Sequence, residues 1–217
     1  MKVKLLTAPE FLSAMEHNAA YAMLTCHANT DLLKEQEARE FVLKAIKAEH
    51  GTILEHMNFT FEVRNLSRAC LQELARHRHL TLSVESTRHT LRKKVGIDES
   101  IIVPSYANTG ITFANPRWGV ETQPFIDVVM KMVCMLIIQC DKTSNDVLKY
   151  YIPEFWPTNL VLTANARELR HVFKLRTAPA ALKEFRDLCY AMFEAVPENF
   201  RYLFEDCIYK EENTHGN

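Results

Sequence analysis

The chain is short of glycine, with 5 among 217 residues against 8 prolines, and no low-complexity run or internal repeat divides it. With 47% hydrophobic and 24% charged residues, this scarcity excludes fibrous and disordered classes and fits an ordinary globular protein. A charge excess of one sign is also missing. The formal net charge of -1 removes the broad attraction expected of a nucleic-acid coat, while leaving room for a local cationic pocket. No N-terminal stretch shows the charged start, apolar middle and small-residue cleavage site of a signal peptide. The most apolar run, Met130 to Cys140, contains Lys131 and Gln139 and falls short of the roughly 20 residues that a bilayer span needs. No C-x-x-C pair occurs among Cys26, Cys70, Cys134, Cys140, Cys189 and Cys207. Reduced thiols, a cytoplasmic location, no metal site and no membrane contact are the expectations. At this length a single domain over residues 1–217 is expected as well.

Periodicity supplies the elements. Leu32, Leu33, Phe41, Val42, Ala45 and Ile46 predict one helix from Asp31, as its N-cap, to about Glu49. Phe59, Phe61 and Val63 alternate with Thr60 and Glu62, the period of a strand with one buried face. A helix capped by Asn65 or Ser67 should run to about His77 and present Arg76, His77 and Arg78 at its end. Leu80 to Thr90 reads as extended or irregular, and Gly96 to Pro124 as a loop with short elements. Gln123 to Cys140 predicts an apolar helix central to the core; Leu160 to Leu162 a strand; Asn165 to about Leu175 a polar helix. Pro179 then separates that helix from an amphipathic one reaching Val196. Long helices with a small sheet make the fold class α+β.

The chemistry concentrates between Arg76 and Arg88, where three arginines, two histidines and four hydroxyls share thirteen residues. Guanidinium forks bind phosphate bidentately and hydroxyls add hydrogen bonds, which describes a nucleotide-phosphate cradle. Equally, a helix that ends in cations describes a solvated basic turn favoured by the helix dipole. A third possibility is a phosphate-tracking stripe of Arg76, Arg78, Arg88, Arg92, Lys93 and Lys94 on a nucleic-acid-binding module, which the overall charge disfavours.

Three blocks, in order, resemble flavin-dependent thymidylate synthases. The first is His50-Gly51-Thr52-Ile53-Leu54-Glu55-His56 followed by Phe59-Thr60-Phe61; the second is Arg76-His77-Arg78 with Ser86 and Arg88; the third is Asn165-Ala166-Arg167 with Leu175-Arg176. The resemblance implies a small, mainly antiparallel sheet surrounded by long helices, and a homotetramer whose active sites lie at subunit interfaces. It implies a methyltransferase of dTMP biosynthesis that converts dUMP to dTMP. Methylenetetrahydrofolate, a reduced folate, would give the carbon, and FADH2, regenerated by NADPH, the hydride. By the same resemblance FAD would be held by His50, Thr52, Glu55, Arg76, His77, Arg78, Asn165, Arg167 and His171. The nucleotide dUMP would be held by Glu73, Arg76, Ser86, Arg88, Lys149 and Arg176.

Departures from the family pattern are His79 after the second arginine, Val84 where an acidic residue is frequent, and Glu73 where Gln is common. Lys149 replaces an arginine and His171 an asparagine. Lys149 keeps the charge and loses the fork. The other thymidylate synthase class uses a cysteine nucleophile introduced by Pro-Cys, and no cysteine here follows a proline. Arg176 is the candidate catalytic residue, placed to stabilise charge on the uracil ring. His77 reads as a donor to flavin or as a proton carrier.

Overall fold

The computed structural model describes residues 1–34, 37–97, 112–113 and 123–210. In chain order the elements are β1 (Lys2–Leu5), α1 (Pro9–Thr25), α2 (Ala38–Lys47), β2 (Asn58–Ser67), α3 (Arg68–Leu74), β3 (Thr81–Val84) and α4 (Thr87–Ile97). There follow β4 (Thr112–Phe113), β5 (Gln123–Pro124), α5 (Phe125–Gln139), α6 (Asn145–Leu148), β6 (Pro157–Asn165), α7 (Ala166–Arg176) and α8 (Lys183–Ala195). Strands pair in the order β1-β2-β6-β3 to make a small antiparallel sheet, so the architecture is the expected α+β. A separate ribbon pairs Thr112 with Pro124 and Phe113 with Gln123.

The chain divides into two compact units. One comprises Lys2–Val63, Glu73–Ser83 and Val161–Asn217; the other comprises Arg64–Gln72 and Val84–Leu160, together with Met1. In the first unit, Phe59, Phe61 and Val63 of β2 are fully buried on one face, as their alternation predicts. Phe204 receives both Phe59 and Phe173 edge-on, each with ring centroids 5.3 Å apart. Each such side chain contributes about 1.5–3 kcal/mol by leaving water. On α7, Asn165 serves as N-cap, its Oδ1 accepting from Glu168 N–H at 2.8 Å.

The second unit has its own core of Leu91, Met130, Val133, Ile137, Leu148 and Trp156. Arg92 of α4 donates to the carbonyls of Ile137, Cys140 and Thr143 at 2.8, 2.6 and 2.5 Å, which satisfies acceptors at and beyond the end of α5. Ser67 Oγ accepts from Cys70 N–H at 3.0 Å and caps α3. Pro157 begins β6, where a missing N–H is tolerated.

Four expectations need correction. The helix predicted from Asp31 is two pieces, a 3-10 turn at Thr30–Lys34 and then α2. Lys34 to Glu40 offers no large apolar side chain, and Asp31 lies in the first turn of the shorter piece. Asn65 belongs to β2 with φ of 60°, a left-handed conformation that Asn tolerates, so α3 starts later and ends three residues before His77. The irregular stretch through Thr90 ends early, because α4 begins at Thr87. Finally, α5 buries only one face: Met132, Met135 and Ile138 are 63%, 54% and 63% exposed. Most of the loop expected over Gly96 to Pro124 lies outside the described residues.

Replacing Ser67 by Ala should lower stability by about 0.5–2 kcal/mol through loss of the α3 cap. Urea unfolding should show an earlier midpoint and an unchanged m-value.

Candidate active site

Arg176 is the last residue of α7, and three groups hold its half-buried guanidinium. Nε donates to His77 Nε2 at 3.0 Å, Nη1 donates to Glu73 Oε2 at 3.3 Å, and the guanidinium carbon lies 4.9 Å above the Phe185 ring. Glu168, two turns earlier on α7, is not among its partners. Glu168 Oε1 instead lies 3.8 Å from Nδ1 of His77. Because Nε2 accepts, the neutral imidazole carries its proton on Nδ1. Burial lowers the His77 pKa from its ordinary 6.5, Arg176 and then His171 lower it further, and Glu73 opposes them. The lowered pKa favours the neutral imidazole, the form that accepts the Arg176 hydrogen bond. Arg76 and Arg78 are exposed, and Arg76 Nη1 comes within 3.7 Å of Glu73 Oε1.

A cavity of about 470 Å³ is lined by Glu55, His79, Asn165, Arg167, Glu168 and His171. It gathers one residue from the first sequence block, one next to the arginine cluster, and four from the start of α7. Arg167 donates to Glu55 Oε1 at 2.6 Å across this wall, an exposed pair that adds little stability. A Cβ at Gly51 would lie 3.4 Å from Arg167 Nε, so the glycine lets that side chain lie close along the turn. His50 and Thr52 are exposed on the same turn and do not line the cavity. The N-terminus of α7, Arg167 and the imidazole of His171 suit an anionic group.

In the second unit, Ser86 and Arg88 stand at the N-terminus of α4. Ser86 is exposed, and its carbonyl accepts from the Thr90 N–H and hydroxyl at 3.1 and 3.0 Å. Arg88 is gripped bidentately by Asp146: Nη2 donates to Oδ2 at 3.0 Å, while Nε donates to Oδ1. That hydrogen bond, above all, holds the Asp146 carboxyl below its usual range, with Lys149 a lesser contributor. Lys149 Nζ lies 5.7 Å from the Tyr150 ring centroid. Sequence reasoning missed Asp146, whose only signal is its place in the first turn of α6, and it missed Glu168. Three cations of the nucleic-acid stripe have partners within the chain, Arg88 with Asp146, Arg92 with carbonyls at and beyond the end of α5, and Lys94 with Glu85 at 3.0 Å, while Arg76, Arg78 and Lys93 are exposed.

The aromatic residues between 150 and 156 divide between core and solvent. Trp156 is fully buried, while Tyr150 and Tyr151 face solvent. All six cysteines are free thiols. Burial pushes Cys134 and Cys189 up and Cys207 to about 11, so none of these three offers a thiolate at neutral pH. Among the described residues no group of His, Cys, Asp and Glu is placed to hold a metal ion, and no helix is long and apolar enough to cross a membrane.

The lowered His77 pKa sets a pH dependence. Below the unfolded-state value of 6.5 the unfolded chain takes up a proton that the native imidazole resists, so stability falls as pH drops through 6.5 toward the native value. Urea midpoints at about pH 7.5 and about pH 5.5 should therefore differ less in His77→Gln than in the parent protein. Identical differences would show that His77 titrates normally.

Three comparisons bear on this geometry. Residues 10–200 match the family model described as thymidylate synthase complementing protein. A flavin-dependent thymidylate synthase of Campylobacter jejuni is 38% identical over 76% of this chain and 78% of its own. One from Helicobacter pylori (strain J99) is 35% identical over 73% and 76%. The crystal structure of thymidylate synthase X from Helicobacter pylori with FAD and dUMP superimposes with a TM-score of 0.76 at 29% identity, covering 97% of this chain and 100% of that one. With the three sequence blocks found in one matching fold, the chain belongs to the family of flavin-dependent thymidylate synthases.

Proposed function

We propose that the chain methylates C5 of dUMP to give dTMP, with FAD as cofactor and methylenetetrahydrofolate and NADPH as cosubstrates, and that residues 1–217 act as one synthase domain. The observation that carries this reading is the cavity on which Glu55, Asn165, Arg167 and His171 converge, since residues from separate sequence blocks meet there. The donor set fits a flavin dinucleotide. Arg167 and the first turn of α7 favour its anionic phosphates. His50, Thr52, Arg76, His77 and Arg78 complete the proposed flavin contacts. Bound flavin would supply the hydride once NADPH has reduced it.

The protein's own part is positioning and electrostatics. C5 of uracil is a weak nucleophile until negative charge builds on the ring, and a fixed cation beside O2 and N3 favours that charge. Arg176 is such a cation, already oriented by His77 and Glu73, so little reorganisation accompanies the reaction. Ser86, Arg88 and Lys149 are assigned to the phosphate of dUMP. Arg88 would exchange or share its Asp146 partner there, while Lys149 contributes a point charge. In an assembly with shared sites these two groups need not come from one chain.

Purified protein should show flavin absorption that bleaches on adding NADPH, and it should form dTMP when dUMP and methylenetetrahydrofolate are supplied. Colourless protein without turnover would defeat the reading. Arg176→Ala should lower kcat and kcat/KM together by about a hundredfold, as expected for a group that acts in the transition state, with flavin content unchanged.

A homotetramer is proposed as well. It is supported by the family and by the stripe of Met132, Met135 and Ile138, a large apolar surface for one helix to leave in water. Sedimentation should give a tetramer, and a Met132→Glu, Met135→Glu double variant should give smaller species. A parent protein that sediments as a monomer with full flavin content would refute shared sites.

A further inference from the structure

Phe185, the third residue of α8, is fully buried and touches both members of the Arg176–His77 pair. Its ring lies 4.9 Å below the Arg176 guanidinium and meets the His77 imidazole edge-on, with centroids 5.7 Å apart and planes at 83°. We propose that Phe185 is a positioning residue for the reaction: one aromatic face fixes the guanidinium of Arg176 and, through the edge contact, the imidazole that orients it. The proposal rests on the reading of Arg176 as the group that stabilises charge on the pyrimidine ring.

The geometry gives each contact a distinct task. A guanidinium has two hydrogen-bonding edges and two faces, and here His77 Nε2 and Glu73 take hydrogen bonds in its plane while Phe185 covers one face. Hydrogen bonds alone would leave the plane free to tilt. The ring removes that tilt and excludes water from the covered face, which strengthens the field at the exposed one. His77 has a matching constraint. Phe185 and His171 both meet its ring edge-on, and Glu168 faces Nδ1, so the tautomer that leaves Nε2 as acceptor is the one that fits. A buried side chain on a different helix thus sets both the direction and the donor pattern of the cation. Without a π face, an apolar side chain of similar size fills the volume and supplies neither effect.

The test compares full-length, flavin-loaded protein with Phe185→Met and Phe185→Tyr, with kcat normalised to bound flavin. Phe185→Met should lower kcat about five- to thirtyfold, the loss of one partly desolvated cation–π contact and one aromatic pair, with KM for dUMP changed by less than about threefold. Phe185→Tyr, which keeps the ring, should stay within about threefold of the parent. Nitrogen-15 spectra of labelled histidine, with the His77 signal assigned from His77→Gln, should show the Nδ1–H tautomer in the parent and a mixture in Phe185→Met. An unchanged kcat or an unchanged His77 tautomer in Phe185→Met overturns the proposal. An Nε2–H tautomer in the parent overturns it even where Phe185→Met fails to fold. Absence of dTMP synthesis by the parent would defeat the functional reading instead, and the histidine spectra would still decide whether Phe185 holds the pair.

Discussion

The hydrogen bond from Arg176 Nε to His77 Nε2 constrains the chemistry of the first unit more than any other contact. It requires the imidazole to be neutral, and burial beside Arg176 and His171 keeps it so. It brings the last residue of α7 to a turn almost a hundred positions earlier in sequence, so the Asn165 cap at the other end of that helix acts on the same assembly. An arginine used for charge stabilisation must have its position settled before the reaction begins, because reorganising a cation during the reaction consumes the stabilisation it would give.

Two kinds of cation result from this arrangement. Arg176 is half-buried, with both a carboxylate and an imidazole as partners, whereas Arg88 and Arg167 sit in exposed carboxylate pairs. Exposed pairs open at little cost and can exchange a carboxylate for a phosphate. Arg176 is less exposed than either, and leaving its place would give up two hydrogen-bond partners and the Phe185 ring at once. The difference suits the exposed arginines to ligand capture and Arg176 to a fixed electrostatic role.

Much of the architecture was legible because its causes are local. The alternation of Phe59, Phe61 and Val63 and the Ser67 cap, one of two candidates, each act within a few residues, whereas the Asn165 cap and the start of β6 at Pro157 went unread. The family blocks point to Arg76 to Arg78 and Asn165 to Arg176, and the structure joins two of these blocks through the Arg176–His77 hydrogen bond. Long-range partners were hidden. Nothing near Arg88 in sequence marks Asp146, nothing near Arg176 marks Glu73 or His77 as its hydrogen-bond partners, and Phe185 reads only as another apolar position on an amphipathic helix. The exposed stripe on α5 escaped for a related reason. Its hydrophobicity runs all around the helix, so periodicity cannot say which side meets the core.

What selects that side is the fork of Arg92, which spans the carbonyls of Ile137, Cys140 and Thr143. Turning α5 by one residue, about 100°, would exchange buried Val133 for Met132 with almost no change in hydrophobic burial. The opposite turn would bring Asp127 and Lys131 inward, so charge excludes one direction, and the three acceptors of the Arg92 fork favour the observed setting over the other. Arg92 acts as an angular pin, and the cost of slipping it falls on unsatisfied carbonyls instead of on the core. The face that α5 turns outward is thus held by polar side chains, Arg92 on α4 together with Asp127 and Lys131 on α5 itself, and a lysine in place of Arg92, with no planar fork, would not define the angle in the same way.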